Sequence, residues 1–270
     1  MPILSHIEAL SKITVVILHS PFEWCYVEGG HVTLENATQE GGTKGGDYLV
    51  NDFAIAKYPI TNAQYEKFIN HSNGFSNPHW WDYSPEAIQW RKDHKNPKPT
   101  AFNGADLPRT RASWFDSMAF CQWLSAELKS NVQFQSPNPI NMAIRLPTEQ
   151  EWQRAALGDT EWVYPWGNKL DKTCGNYGNN LGQPSVVDRY PEGKSVYGVM
   201  DMTGNVWEWC LTGWNQETMD VSGYTYRVFK GGAWNVSNPD HLRSNDRGCH
   251  PPRGRLNDCG FRLALCLDLQ

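Results

Sequence analysis

The sequence predicts an α+β domain, rich in loops, with short helices and small antiparallel sheets. Three observations lead there. Aromatic residues make up 13% of the 270 positions, with 13 Trp beside 23 Gly and 17 Pro, which suits short elements joined by turns around large flat side chains rather than a helical bundle. Helical periodicity with capping signals is confined to three stretches. The last hundred residues carry Gly, Asn, Trp and Pro between short β-like runs.

In chain order, residues 1–21 read as a short helical or frayed lead-in, and 22–270 as one domain. Gly41 to Gly46 is a hairpin turn or loop between strands. Phe53 and Ile55 mark a strand that Pro59 stops. Thr61-x-x-Gln64 is a capping box opening a helix over about 61–70, with Tyr65, Phe68 and Ile69 inward. A second helix starts at Ser113, with Asp116 at its favourable end and Trp114, Met118, Cys121, Leu124 and Leu128 on one face. The third is short: Thr148 caps it, Glu151 closes the box, Trp152 and Ala156 face inward, and Gly158 stops it. Beyond it, Tyr224 to Lys230 and Gly260 to Leu267 are β-like and no further helix is expected.

Composition narrows the function. A net charge of -5 gives no global basic field, so nucleic acid is not an expected partner. No apolar run approaches the roughly 20 residues of a membrane span. Ile13 to Leu18 is too short for a signal-peptide core, which favours the cytoplasm. The seven cysteines are scattered and contain no CxxC pair, so reduced thiols are expected, and Cys249, Cys259, His250 and His241 match no zinc spacing.

Four ordered segments carry more. In Gly204-Asn-Val-Trp-Glu-Trp209, strand alternation sends Trp207 and Trp209 to one side and Glu208 to the other. In Lys230-Gly-Gly-Ala-Trp234, the glycines permit a close approach or a conformation that a side chain forbids. Arg262 of Gly260-Phe-Arg262 offers a fork of donors able to tie loop carbonyls together. With Tyr58 to Tyr65 and Arg145 to Trp152, these segments resemble the formylglycine-generating-enzyme (sulfatase-modifying factor) family. The resemblance implies a C-type lectin fold from about residue 22 to the C-terminus.

Family members that oxidise a sulfatase cysteine use a copper-binding cysteine pair shortly after the Gly-Gly motif. Here Gly232 is followed by Ala233 to His241 without a thiol, and the next cysteine is Cys249. Monovalent copper needs soft thiolate ligands. The chain is therefore expected not to be an enzyme and to require no cofactor; an oxidase of the formylglycine-generating type or a sulfoxide-synthase-like enzyme is the alternative. The resemblance also implies a calcium site at Asp201, Gly204, Val206 and Glu208, an oxygen set suited to a hard cation.

Residues 235–259 have an unusual alphabet, without one Lys, Glu, Gln, Met or Trp. Those five types need codons ending in a purine, whereas every residue present can be encoded with a final cytosine. The segment resembles that of variable proteins diversified by retroelements, which share this fold and randomise adenines in AAC codons. Trp234, Leu242, Arg243, Ser244, Arg247, Pro252, Arg255, Gly260, Phe261 and Arg262 match the fixed frame. Val236, Ser237, Asp240, His241, Asp246, Gly248, Cys249, His250, Pro251, Arg253, Gly254, Leu256 and Asp258 read as varied positions, and Asn235, Asn245 and Asn257 as unmutated template positions. The resemblance implies a binding protein that displays these residues to a ligand, most simply a protein surface.

Overall fold

Capping side chains set the helix boundaries. The computed structural model describes residues 2–37, 41–42, 44–133, 141–215 and 219–268. In order these form α1 (Pro2–Leu18), β1 (Trp24–Val27), β2 (Gly30–Leu34), β3 (Gly46–Val50), β4 (Phe53–Ala56), α2 (Asn62–Asn70), α3 (Pro85–Asp93), α4 (Trp114–Gln133), β5 (Asn141–Arg145) and α5 (Glu149–Leu157). They continue as β6 (Trp207–Gly213), β7 (Arg227–Lys230), β8 (Gly248–His250), β9 (Cys259–Gly260) and β10 (Ala264–Asp268).

Both predicted capping boxes are present. Gln64 N–H donates to Thr61 Oγ1 at 3.3 Å while Gln64 Oε1 accepts from Thr61 N–H at 3.0 Å. Thr148 and Glu151 repeat the exchange at 3.1 and 2.8 Å, and α5 ends at Gly158 with φ 58°. Ser113 and Asp116 form a third reciprocal pair at the start of α4. Two features go beyond the sequence reading. The lead-in is a 17-residue helix that puts Ile7, Leu10 and Leu18 into the main core. The other is α3, where Ser84 caps and Pro85 occupies the first turn, although only Ala87 and Trp90 are buried.

The apolar stripe expected on α4 is too narrow. From Trp114 to Ser125 only Gln122 is exposed, because this half of the helix runs through the centre of the core. Phe120 and Trp123 there join Tyr65, Phe68 and Phe261 in a chain of edge and stacked contacts between 5.3 and 6.1 Å. A second cluster lies beneath α5, around Trp152, Phe53, Met202 and Trp214.

Three sheets organise the strands. One has the order β1-β4-β10-β5 and is antiparallel throughout, so β10 joins β4 to β5. The second is the β2-β3 hairpin around the glycine-rich turn. The third runs β8-β7-β6-β9, and its β6-β9 pair is parallel, against the all-antiparallel expectation. The chain leaves β7 at Gly231, crosses over and returns at Cys259 on the far side of β6, where it runs parallel to β6 and so antiparallel to β7.

Arg262 links the first and third sheets. Its Nε and one terminal nitrogen each donate to Glu208 at 2.6 Å, and its remaining contacts reach the carbonyls of Ala56, Lys57 and Met200 at 2.8–3.1 Å. Trp152 Nε1 donates to the same carboxylate at 2.7 Å, and both ionic side chains are fully buried. Removing one partner strands an unpaired charge. Arg262→Ala is expected to lower the unfolding free energy by about 3–5 kcal/mol in urea titrations, with Arg262→Lys recovering only part because it lacks the planar fork.

Candidate functional site: a surface held by arginine anchors

The segment begins where Gly231 and Gly232 turn the chain out of β7 with φ 95° and 74°. A Cβ on Gly232 would lie 2.7 Å from Leu242 and 2.8 Å from the His241 carbonyl, so only glycine admits the return of the chain at 241–242. Trp234 N–H donates to Asn205 O at 3.0 Å, while the Trp234 and Val236 carbonyls accept from Asn179 and Gly178 at 2.7 Å. Asn238 then caps a short 3₁₀ turn at 239–242, which drives Leu242 into a pocket with Tyr164 and Tyr177.

Three further arginines pin the chain beyond this turn. Arg243 forks onto Glu35 at 2.8 and 3.1 Å. Arg247 forks onto the buried Glu149 at the start of α5, and also donates to the Glu35 carbonyl at 3.0 Å. Arg255 places two donors on one Asp116 oxygen at 2.9 and 3.2 Å and lies over the Trp90 ring. Between these, backbone bonds from Trp114 to Pro252, Arg111 to Leu256 and Trp207 to Asp258 fix the second half at 2.8–3.1 Å.

The segment alternates accordingly. Leu242, Ser244, Arg247, Pro252, Gly260, Phe261 and Arg262 are buried, while Asn235, Ser237, Asp240, His241, Arg253 and Asn257 are exposed. Val236, Asn245, Cys249, His250, Pro251, Gly254, Leu256 and Asp258 are half-buried. Two expected display positions are corrected: Asp246 and Gly248 face inward. Asp246 sits 3.2 Å from His241 Nδ1, and a Cβ on Gly248 would meet the Phe229 ring at 2.5 Å. Burial of the Cys249 sulfur on β8 raises its pKa, so it is held as the thiol.

Several of the exposed and half-buried residues fall into three neighbourhoods. Asn235 donates to Asp258 at 3.0 Å, and Arg111 donates to Asn257 at 2.6 Å. The Arg253 guanidinium lies 3.9 Å from the centroid of the Tyr224 ring. Asn245 lines a cleft bounded by β2 and the end of α5. Arg111 and Tyr224 therefore join the surface from outside the segment, and no sequence spacing announces either. Arg111 also takes φ 60°, unusual for a residue with a long side chain.

The calcium set does not fit this geometry. Both Glu208 oxygens are held by Arg262, with Trp152 on one of them, so a cation there would face a guanidinium. Asp201 is buried, accepts from Asn205 at 3.1 Å, and has its pKa pushed up to about 7 by that burial. Among the described residues no group of three or more His, Cys, Asp and Glu side chains is placed to hold a metal ion. No helix among them is long and apolar enough to cross a membrane.

Residues 19–267 match the model of the sulfatase-modifying factor enzyme 1-like domain. The chain belongs to this family. Among curated relatives, a hercynine oxygenase of Mycolicibacterium smegmatis is 29% identical over 80% of this chain and 53% of its own length. The inactive C-alpha-formylglycine-generating enzyme 2 of Mus musculus is 26% identical over 88% of this chain and 84% of its own. The chain thus spans about half the length of the hercynine oxygenases it matches. In structure, Treponema denticola variable protein 1 superposes with a TM-score of 0.64 and 23% identity, covering 90% of this chain and 94% of that one, which shows the fold.

These relatives overturn the expectation that the chain is not an enzyme, because hercynine oxygenases and formylglycine-generating enzymes stand among them. The physical reason is simple. A missing thiol pair after Gly232 removes the ligands for one copper chemistry, whereas one family fold hosts several chemistries.

The Glu35 anchor gives a pH signature. The Arg243 hydrogen bonds outweigh partial burial and hold the Glu35 carboxyl below its ordinary 4.5. A depressed folded-state pKa adds stability above the ordinary value and loses it as pH falls through the lowered one. Amide protection over residues 243–247, taken relative to intrinsic exchange at each pH, is expected to fall as pH drops below the ordinary value of 4.5, and in Glu35→Gln to be low already at pH 7 with little further acid response.

Proposed function

We propose that residues 235–259 form a ligand-binding display surface, diversified at the gene level by a retroelement, and that its ligand is the surface of another protein. The observation that carries the reading is the pattern of burial: seven of the ten frame residues are buried, whereas of the sixteen interleaved positions six are exposed, eight half-buried and two inward. Each anchoring arginine is matched to a carboxylate outside the segment, so the backbone path does not depend on the outward side chains. A preorganised backbone lowers the ordering loss of roughly 0.5–1.5 kcal/mol per flexible side chain on binding.

A protein ligand suits the spread of the outward residues. Asn235, Asn257, Arg253, Tyr224 and Asn245 occupy three neighbourhoods rather than one enclosed cavity, as an extended partner requires. The absence of residue types whose codons must end in a purine supports diversification, and the likeness in fold to a variable protein is consistent with it.

Two measurements test this. Sequencing around the gene is expected to find a near-identical copy of the 235–259 stretch that differs at adenines, beside a reverse transcriptase; sibling loci that agree at every outward position would defeat the reading. On the protein, Ser237→Ala, Asp240→Asn and Asn257→Ser are each expected to shift stability by less than about 0.5 kcal/mol, and Arg247→Ala by about 3–5 kcal/mol, in chemical denaturation.

A further inference from the structure

Arg111 joins the display surface from outside the 235–259 segment, and its backbone is strained. Its φ of 60° is left-handed, a conformation that a Cβ disfavours and glycine adopts freely. The other non-glycine residues with positive φ are His19, Asn179, Asp201 and Asn205, so Arg111 alone among them carries a long side chain. The position is fixed by the main chain, since Arg111 N–H donates to the Leu256 carbonyl at 3.0 Å. Strain of this kind, kept where glycine would relieve it, points to a use for the side chain.

That side chain touches the segment through one bond. Arg111 Nε donates to Asn257 Oδ1 at 2.6 Å. Among the described residues the two terminal nitrogens of the guanidinium meet no acceptor and form no ion pair. Asn257 is exposed, and its amide nitrogen finds no acceptor there either. The acceptor of the pair is engaged by its own partner, so only N–H donors face outward.

Other arginines are spent inside the molecule. Arg243, Arg247, Arg255 and Arg262 turn their forks onto carboxylates. Arg91 and Arg227 have none, and give their terminal nitrogens to main-chain carbonyls. Asp258, next to Asn257, accepts from Asn235 rather than from Arg111. Along the same stretch Arg253 lies over the Tyr224 ring, also without an ion pair. This half of the surface thus carries two unpaired guanidinium groups on a chain whose net charge is -5.

A group that answers this edge must bring acceptors and negative charge. We infer that Arg111 is a fixed anion-recognising residue of the display surface, taking an aspartate or glutamate side chain of the partner protein, with the Asn257 amide donating to the same carboxylate. The inference rests on the reading of 235–259 as a protein-binding surface and names the chemistry of its partner at one point. The planar fork matches the two oxygens of a carboxylate. A nucleic acid would meet the repulsion of the whole acidic chain as well as this edge. Residue 257 sets the aim, because its Oδ1 fixes the guanidinium plane through Nε; a side chain without an acceptor there frees the fork.

The probe is a random-peptide phage library panned against the full chain. Selected peptides are expected to be enriched in Asp and Glu over the unselected library, an outcome that the net charge alone disfavours. Once synthesised, they are expected to bind Arg111→Gln about tenfold more weakly than the native chain, with Arg111→Lys intermediate. Changing the peptide's acidic residue to its amide is expected to abolish that difference. Arg111→Gly is expected to lose the same affinity while its urea midpoint equals or exceeds the native one, because glycine relieves the backbone. No acidic enrichment, unchanged affinity in Arg111→Gln, or a lowered midpoint in Arg111→Gly overturns the assignment, as does a mixed-sequence oligonucleotide that binds more tightly than the peptides. Peptides that respond to Arg253→Ala but not to Arg111→Gln overturn this inference alone and leave the display reading standing, so the two fail separately.

Discussion

Four arginine–carboxylate contacts decide the shape of the C-terminal third. Arg243, Arg247, Arg255 and Arg262 reach Glu35, Glu149, Asp116 and Glu208, which lie after β2, on α5, on α4 and on β6. Burying ion pairs is not an efficient way to gain stability, since apolar replacements of similar volume often do as well. Their value here is positional. A guanidinium fork accepts a carboxylate in few orientations, so each contact fixes where the backbone passes and which way its neighbours point. Hydrophobic burial holds the molecule together, and the arginines choose one path for a segment that buries little apolar surface of its own.

The same economy explains the glycine pair and the indoles. Gly231 passes within 3.0 Å of Trp152 at its prospective Cβ, and Trp152 in turn donates to Glu208. Trp90 does the same for Asp116 while lying beneath Arg255, and Trp214 lies under Arg247. Trp90 thus supplies both a flat platform for the Arg255 guanidinium and a donor for its carboxylate, while Trp152 serves as donor and Trp214 as platform.

Much of the fold was legible because it is written locally. Thr61, Ser113 and Thr148 announce helix starts through a residue three positions on, and Gly158 announces a stop. The start of α3 carries a similar local signal in Ser84-Pro85, yet with two buried apolar residues it lacks the periodic stripe that draws notice. The docking of α1 and the parallel β6-β9 pair depend on contacts across the molecule that no local pattern encodes. The candidate site divides the same way. Alternation of frame and outward residues could be read from the segment, but Gly248 and Asp246 turn inward because of Phe229 and His241. Arg111 and Tyr224 arrive from distant stretches, and the partners of the four arginines were invisible for the same reason. Glu208 was read as a cation ligand when its cation is Arg262.

The last strand, β10, lies between β4 and β5 rather than at an edge. Everything from Gly231 to Phe261 is therefore a closed excursion, tied at its start by β7 and at its finish by the middle of another sheet. A message interrupted by a stop codon within the excursion yields a polypeptide in which two strands lack the neighbour that unites them, with Phe261 missing from the aromatic chain and Arg262 missing from Glu208. Such a product exposes open strand edges and an unmatched buried charge, marks by which cellular proteases discriminate. Completion of the first sheet and of the Arg262–Glu208 pair therefore waits on the residues that follow the excursion.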